Sequence, residues 1–398
     1  MMKIALISLF DTNLGEELIK DCAKYLIERA AKENGLEIEV TVQNLFPREE
    51  RFPSFTRFRR NLERSRILLA KKFFPALQPF LCFVEEFIAI LKWHFEQKNN
   101  PEIKNYYTNI AKSSDIVVTA GGGILSHINL NIWAPFYALL CACEEQNTPV
   151  YVNCIGIERP SGAFSLLFKN ILNKKCIKHM TVRDDIKTAL KYYKTRQKCA
   201  LAGDSALWVS ECYGIQKANS SIIGVNVIRS GIFQFNGGKL SPFAVKKAYI
   251  GVINRLLERG YQIELFTNGL AADEEFAKEL LDESNLNGNP KYLAPCPKTG
   301  ENLAKRISTY KAVIGARMHC AIGAAALDIP FVEVFWKEKQ RYFAKLLERE
   351  GWFFSQEEFL DSDYVIDLLE KAMEQGYNRE VISRLKKLAY ENLITHLF

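Results

Sequence analysis

The stretch YKAVIGARMHCAIGAAALDIPFVEVFW, Tyr310–Trp336, decides the fold class of this 398-residue chain. It contains a short apolar run that ends at Gly315, an Ala-rich segment of helical character and a second β-type run. Two such strands joined by a helix form a βαβ unit, which is typical of parallel sheets covered on both faces. Arg317 and His319 follow the first strand, at the edge where open α/β sheets bind ligands.

The same alternation of β-type runs and helical patterns extends through most of the chain. SSIIGVNVI, which begins at Ser220, opens a second series of strands after a first series that starts at Ile4. We therefore predict two Rossmann-like α/β domains, residues 1–212 and 213–376. The last helical stretch, residues 377–398, follows the second series, and we expect it to pack back on the first domain.

Residues 48–99 do not follow this alternation. Their first half is basic and aromatic, and their second half is apolar. The apolar run from Leu77 to Phe95 approaches spanning length, but Pro79 and several charges interrupt it, so we do not expect a transmembrane helix. The favoured interpretation is a helical insertion packed on the first domain. The alternative is a surface that makes peripheral contact with an anionic membrane or a lipid-linked substrate.

Charge and cysteine usage restrict the class of partner. The net charge is +7, with both signs spread along the chain and no long Lys/Arg tract, which favours an anionic small molecule or surface over nucleic acid. The ten cysteines are scattered, and the close pair Cys141 and Cys143 has no second pair to complete a zinc site. This usage is typical of a reduced, cytoplasmic protein. The inner face of the membrane is the alternative location.

Glycine-rich and charged residues follow several predicted strands. TAGGGIL places Gly121, Gly122 and Gly123 after a strand, where bare backbone N–H groups can approach an anion or a sugar. A tight strand-to-helix turn is the alternative explanation. The pattern is not G-x-G-x-x-G, so no nicotinamide cofactor is implied. Comparable strand-end positions are held by Asn13, Gly15, Arg183 and Asp184.

Five motifs together carry a resemblance. NLGEE, DIVVTAGGGIL, VRDD, AGDSAL and ARMHCAIGAAALDIPFVEVFWKEK resemble, in order and spacing, the polysaccharide pyruvyl transferase family, over most of the chain apart from residues 48–99. The resemblance implies a glycosyltransferase-B-like fold, with two Rossmann-like domains facing a cleft and no metal. The family pattern falls on Asn13, Gly15, Gly121, Gly122, Gly123, Arg183, Asp184, Asp204, Arg317, His319, and Lys337 or Lys339.

The resemblance also implies an activity. Members transfer a pyruvyl group from phosphoenolpyruvate to sugar hydroxyls as a ketal, in cell-surface or exopolysaccharide biosynthesis. Phosphoenolpyruvate would be the donor substrate, and no cofactor would be needed. The acceptor would be a saccharide, with a lipid-linked saccharide as one alternative. Arg317 suits the donor because its planar fork can hold a carboxylate or phosphate, and Lys337 or Lys339 can add a point charge. His319 would be the acid that protonates the methylene carbon.

Two departures from the family pattern leave the acceptor open. Glu16 stands where the family usually has aspartate, and NCIGIERP keeps only Gly156 and Pro160 of a glycine-rich strand end. The base for the sugar hydroxyls is also open, with candidates at strand ends: Asp11, Glu16 and Asp184.

Two other functions remain possible on the sequence alone. One is a nucleotide-sugar glycosyltransferase of the same build, in which Glu333 or Glu338 would bind a ribose. The other is a non-catalytic protein that binds an anionic metabolite. The sequence does not determine the oligomeric state.

Overall fold

The computed structural model consists of two parallel sheets covered by helices. It describes residues 1–9, 13–47, 100–125, 130–157, 169–188, 190–191, 199–235, 238–395 and 397–398. The predicted helical insertion at 48–99, with its alternative as a membrane-contacting surface, lies outside the described residues. So do the candidate base Asp11 and the departure at residues 158–160.

The first sheet contains seven strands within the described ranges: Met2–Ser8 (β1), Ile38–Asn44 (β2), Ile116–Thr119 (β3), Gly122–Leu125 (β4), Val150–Ile157 (β5), Ile177–Val182 (β6) and Cys199–Leu201 (β7). The order is β2-β1-β3-β5-β6-β7, β4 also pairs with β5, and all these pairs are parallel. β1 is apolar from Ile4 to Ile7 because both of its faces are covered there. Ile4 and Leu6 face one core, while Ala5 and Ile7 face the other.

The helices of the first half include Leu14–Glu33 (α1), Pro101–Lys112 (α2), Leu130–Gln146 (α3), a single turn Ile186–Thr188, a 3₁₀ turn Ser205–Trp208 and Val209–Tyr213 (α4). α1 begins where the side chain of Asn13 accepts a hydrogen bond from the backbone N–H of Gly15 at 3.0 Å. Such a cap satisfies one of the free N–H groups of the first turn. Asn13, a predicted substrate-binding residue, therefore has a structural role at this helix start.

Among the residues that the structure describes, the second sheet contains five strands: Ile222–Asn226 (β8), Gln262–Phe266 (β9), Ala312–Gly315 (β10), Phe331–Val334 (β11) and Phe353–Phe354 (β12). Their order is β12-β11-β10-β8-β9, and every pair is parallel. The helices of this half are Gly231–Phe235 (α5), Pro242–Glu258 (α6), Ala271–Glu283 (α7), Gly300–Ser308 (α8), Met318–Ala326 (α9), Glu338–Leu347 (α10), Ser362–Gln375 (α11) and Arg379–Ile394 (α12). Single 3₁₀ turns are Pro290–Tyr292, Glu350–Trp352 and Glu358–Leu360.

The stretch from Tyr310 to Trp336 forms the predicted βαβ unit. β10 and β11 pair in parallel, and α9 connects them. All nine residues of α9 are buried, which explains its Ala-rich composition: small side chains let a helix lie close to its neighbours. Arg317 holds the N-cap position of α9, so the R-x-H motif spans the start of this helix.

The two halves share one apolar core. Leu18 of α1 and Val225 of β8 belong to the same cluster of buried side chains. α12 lies against the first half, where Trp208 Nε1 donates to the carbonyl of Lys386 at 3.0 Å and Asn392 Nδ2 donates to Leu201 at 2.9 Å. None of the helices in the described ranges is both long and apolar enough to cross a membrane.

Candidate active site

The N-termini of α1 and α9 meet where the two halves face each other. Gly15 lies in the first turn of α1, and His319 lies in the first turn of α9. A Cβ atom on Gly15 would overlap the imidazole ring of His319, which is 4% exposed. The glycine of NLGEE is therefore needed for space, because any side chain there would displace the histidine.

Arg183 and Asp204 approach His319 from the first half. Arg183 Nη1 donates to Asp204 Oδ2, and both side chains are 2% exposed. The same Nη1 lies 3.3 Å from His319 Nε2. A guanidinium can only donate hydrogen bonds, so Nε2 accepts and the neutral ring carries its proton on Nδ1. Three side chains from distant parts of the chain thus form one buried polar cluster.

The environment of His319 lowers the pKa of its imidazole well below the ordinary value. Burial is the largest cause, and the charges of Arg183, Lys339 and Arg317 act in the same direction. Arg183 itself stays charged: burial opposes its charge, but Asp204 and Asp184 raise its pKa by more. Burial among cations therefore favours the neutral ring in this structure, and the role of His319 as the acid stays a prediction.

Two carboxyl groups adjoin this cluster. Asp184 Oδ2 accepts from the backbone N–H of Ile157 at 2.9 Å, and burial raises the pKa of Asp184 to about 6 although Arg183 opposes this. Its Oδ1 is buried and has no hydrogen-bond partner among the described residues. Burial also raises the pKa of Glu16, against the charges of Arg183 and Lys339. Carboxyl groups with raised pKa values are suited to proton transfer near neutral pH.

The three glycines at the start of β4 are explained in part by backbone conformation: Gly121 precedes the strand, and Gly122 and Gly123 are its first two residues, where a strand-to-helix turn was the alternative explanation. Gly121 and Gly122 have φ angles of +115° and +87°, which disfavour any residue with a side chain. A Cβ on Gly122 would also overlap the carboxylate of Glu16, whereas a Cβ on Gly123 would meet open space. The first two glycines are therefore required by conformation and packing, and ligand binding by all three stays a prediction.

The two candidate lysines occupy different positions. Lys337 is the N-cap residue of α10, and its backbone N–H donates to Gln340 Oε1 at 2.9 Å. Its ammonium lies 5.7 Å from the centroid of the Trp336 ring. Lys339 is the lysine whose charge lowers the pKa of both Glu16 and His319. Of the two, Lys339 thus has the electrostatic influence on the cluster.

The acidic residues considered for a ribose are placed differently. Glu333 is 0% exposed, its Oε1 accepts from Gln340 Nε2 at 2.7 Å, and burial raises its pKa to about 8. A ribose cannot reach this side chain in this structure. Glu338 is exposed and lies 3.8 Å from Arg341.

Arg317 has a different partner from His319. Its Nε donates to Asp273 Oδ2 at 2.7 Å and its Nη2 donates to the same oxygen, while Asp273 is 0% exposed. Asp273 Oδ1 accepts from the backbone N–H of Arg229 at 3.1 Å. Asp273 and Arg229 were not predicted from the sequence, because an acidic residue in the first turn of a helix is common for reasons of the helix dipole alone. Within the described ranges, no group of three or more His, Cys, Asp or Glu side chains could hold a metal ion.

Solved structures with the same architecture include two UDP-GlcNAc 2-epimerases and a UDP-forming trehalose-phosphate synthase. UDP-GlcNAc 2-epimerase from Neisseria meningitidis, bound to UDP-GlcNAc, matches 100% of this chain and 99% of its own, with a TM-score of 0.57 and 11% identity. UDP-GlcNAc 2-epimerase from Methanocaldococcus jannaschii matches the same shares with a TM-score of 0.56 and 11% identity. An α,α-trehalose-phosphate synthase (UDP-forming) from Burkholderia vietnamiensis also matches 100% of this chain and 99% of its own, with a TM-score of 0.53 and 10% identity. At such low identity these matches establish the fold alone, and the predicted glycosyltransferase-B-like fold is confirmed.

Sequence comparison gives the family. No curated protein sequence matches this chain significantly. The family model of polysaccharide pyruvyl transferase matches residues 13–336, which is most of the chain and includes the cluster residues from Gly15 to His319. This chain therefore belongs to the polysaccharide pyruvyl transferase family.

Proposed function

We propose that this protein transfers a pyruvyl group from phosphoenolpyruvate to two hydroxyl groups of a saccharide, as a ketal, in cell-surface or exopolysaccharide biosynthesis. The observation that carries the proposal is the buried cluster of Arg183, Asp204 and His319 between the two halves of a family member. A buried cluster of this kind is a setting in which charges act strongly on a bound ligand.

The cations near the cluster match the charge of the proposed donor. Phosphoenolpyruvate carries a carboxylate and a phosphate on one small frame. Arg183, Lys339 and Arg317 all act electrostatically on His319, so three positive charges lie within electrostatic reach of the imidazole. Such charges would offset those of the donor and of the phosphate that leaves.

The proposed reaction proceeds in balanced steps. The oxygen of one sugar hydroxyl attacks the carbon that bears the phosphate, while the methylene carbon takes up a proton and becomes a methyl group. Phosphate then leaves with the electron pair of its C–O bond, and the second hydroxyl adds to the same carbon to close the ketal. The two hydroxyls release two protons, of which one replaces the proton given to the methyl group and one leaves with phosphate. No redox change occurs, so the proposed reaction needs a donor substrate and no cofactor.

Binding of the donor would favour the protonated form of His319, the proposed acid. An anionic phosphate beside His319 would raise the pKa of the ring, because an opposite charge favours the protonated form. His319 would then donate a proton only when the donor is bound. Asp184, with a pKa of about 6, and Glu16 are the proposed acceptors of the hydroxyl protons. We further propose a saccharide acceptor that is lipid-linked or nucleotide-linked, and a cytoplasmic location.

The test is phosphate release from phosphoenolpyruvate in the presence of a panel of lipid-linked and nucleotide-linked sugars. We expect acceptor-dependent release by the wild type and a loss of turnover of roughly a hundredfold or more for His319→Gln. Calorimetric titration with phosphoenolpyruvate should show that the variant keeps its donor affinity within a few-fold. Arg255→Ala, an exposed arginine on α6, is the control.

Two results would count against the proposal. Binding of UDP-sugars without any binding of phosphoenolpyruvate would favour a nucleotide-sugar enzyme instead. Near-normal turnover of His319→Gln would show that another group is the acid.

A further inference from the structure

We propose that Asp273 holds Arg229 and Arg317 together as a two-arginine site for a phosphate-type anion at the carboxyl edge of the second sheet. The identity of the anion rests on the proposed function: it is the phosphate of phosphoenolpyruvate if that function is correct. The diphosphate of a nucleotide has the same chemistry and is the other source that the experiment below distinguishes. Arg229 and Asp273 were not among the residues predicted to bind substrate.

Asp273 connects three strand ends. It lies in the first turn of α7, after β9, while Arg229 follows β8 and Arg317 follows β10. These three strands are neighbours in the sheet, in the order β10-β8-β9. Oδ2 accepts from Arg317 Nε and Nη2, and Oδ1 accepts from the Arg229 backbone N–H at 3.1 Å with Arg229 Nη1 at 3.5 Å. One buried carboxylate thus orients both arginines at the edge where such sheets bind ligands.

The group formed by Asp273, Arg229 and Arg317 has more positive than negative charge. Two guanidinium groups face one carboxylate, and one arginine would have been enough to neutralise it. Arg317 donates to Asp273 through Nε and Nη2, while its Nη1 has no hydrogen-bond partner among the described residues. The side chain of Arg317 is 11% exposed. The side chain of Arg229 is 38% exposed. The surplus charge and the remaining N–H groups are what an anion with several oxygens requires.

This anion site adjoins the candidate active site. The charge of Arg317 is among the causes that lower the pKa of His319, so the two groups interact electrostatically. An anion held by Arg229 and Arg317 would therefore lie within electrostatic reach of the imidazole. This places Asp273 as a positioning residue, since its carboxylate acts through the two arginines, whereas the arginines would contact the ligand.

The first test is calorimetric titration of the full-length protein with three probes: phosphoenolpyruvate, inorganic phosphate and UDP. We expect Arg229→Ala to weaken binding of the anion that the wild type binds by roughly ten- to hundredfold, the usual scale for hydrogen bonds to a charged group. The control Arg255→Ala removes an equal charge from an exposed position in the same half, and it should bind as the wild type does. Weakening of phosphoenolpyruvate binding supports both the site and the proposed donor.

The other outcomes separate the two proposals. If only UDP binds and Arg229→Ala weakens it, the anion site stands and the proposed donor is wrong. If phosphoenolpyruvate binds equally well to the wild type and to Arg229→Ala, the anion site is wrong and the proposed donor stands. Binding of none of the probes to the wild type overturns both.

A second variant tests the positioning role of Asp273. Asp273→Asn removes a negative charge and leaves one acceptor oxygen for two arginines. If the carboxylate only neutralised charge, the more positive site would bind the anion more tightly. If it orients the arginines, binding should weaken by about tenfold or more. The two roles therefore predict opposite signs. Because Asp273 is buried and its variant can fail to fold, the Arg229→Ala titration decides the inference by itself.

Discussion

Two arginine–aspartate pairs at strand ends of this protein differ in what surrounds them. Arg183 and Asp204 are both 2% exposed, and the nitrogen that binds Asp204 also faces His319. Arg317 is 11% exposed beside Asp273, and one of its terminal nitrogens has no partner within the described ranges. Both members of the first pair are enclosed, whereas the arginine of the second pair is partly exposed.

The comparison teaches that the charge of an arginine does not by itself decide its role. Arg183 contacts a carboxylate and a histidine, and its charge adds to the effect of burial in lowering the pKa of that histidine. Arg317 keeps an N–H group for a ligand because Asp273 occupies only one side of its fork. Three predictions test this difference, in order of decreasing effect.

The largest expected effect is on the stability of the enclosed pair. Arg183→Ala should destabilise the fold by about 3–5 kcal/mol, because it leaves the Asp204 carboxylate buried without its cation. Arg317→Ala should cost less, since Arg229 still donates to Asp273. Equilibrium denaturation of both variants measures the two losses. Equal losses would mean that the two pairs do not differ as proposed, and Arg255→Ala serves as the exposed control.

The second prediction displaces His319 without changing any charge. Gly15→Ala places a methyl group in the imidazole ring, so the ring must move away from Arg183. We expect turnover to fall by roughly a hundredfold, as for other small misplacements of catalytic groups. Overpacking should cost about 1–3 kcal/mol of stability. Turnover is measured by phosphate release and stability by thermal melting.

The matched control is Gly251→Ala, also in a helix. A Cβ there would meet the Cβ of Ser362 at 3.8 Å, an ordinary contact, so neither turnover nor folding should suffer. Binding of anions by Arg229 and Arg317 should also survive Gly15→Ala. Normal turnover of Gly15→Ala would show that the position of His319 does not matter for the reaction.

The smallest expected effect is on the pH dependence of stability. The pKa of His319 is lowered in the folded protein, so below pH about 6.5 the unfolded chain binds a proton that the folded protein does not. Stability should therefore fall as the pH falls, by at most about 1.4 kcal/mol per pH unit from this group. His319→Gln should lose less stability than the wild type between pH 6.5 and 5.

Asp184 should act with the opposite sign. Its pKa is raised from 3.8 to about 6, so the folded protein binds this proton before the unfolded chain does as the pH falls from 6 to 4. The wild type gains relative stability from this uptake, and Asp184→Asn does not. Denaturation series at several pH values should show a steeper acid loss for Asp184→Asn than for the wild type. Parallel curves for all three proteins would contradict both assignments.

Much of the fold could be predicted from local patterns. The apolar runs and the Ala-rich segment between Tyr310 and Trp336 predicted a βαβ unit, and β10, α9 and β11 form it. Side chains alternate between the two faces of a strand and follow the helical repeat in a helix, so such patterns can be read within a few residues. The placement of polar residues after strands was predicted by the same means.

The details of the site could not be read in this way. The contact between Arg183 and His319 joins residues 136 positions apart, and the pair of Asp273 and Arg317 joins residues 44 positions apart. The spacing of Arg317 and His319 suggested one shared ligand, yet the two side chains have different protein partners. Nothing local to Asp273 distinguished it from an ordinary acidic residue at a helix start.

The amino-acid sequence by itself determined the fold class, the family and the positions where charged residues follow strands, because these depend on hydrophobic periodicity and on motifs of neighbouring residues. Only the tertiary structure decided which charges pair and which protonation state each group prefers. A pKa depends on burial and on charges within a few ångströms, and here those charges come from distant parts of the chain. The neutral state of His319, and the contacts of the two Asp273 carboxylate oxygens with Arg229 and Arg317, follow from how the folded chain brings these residues together.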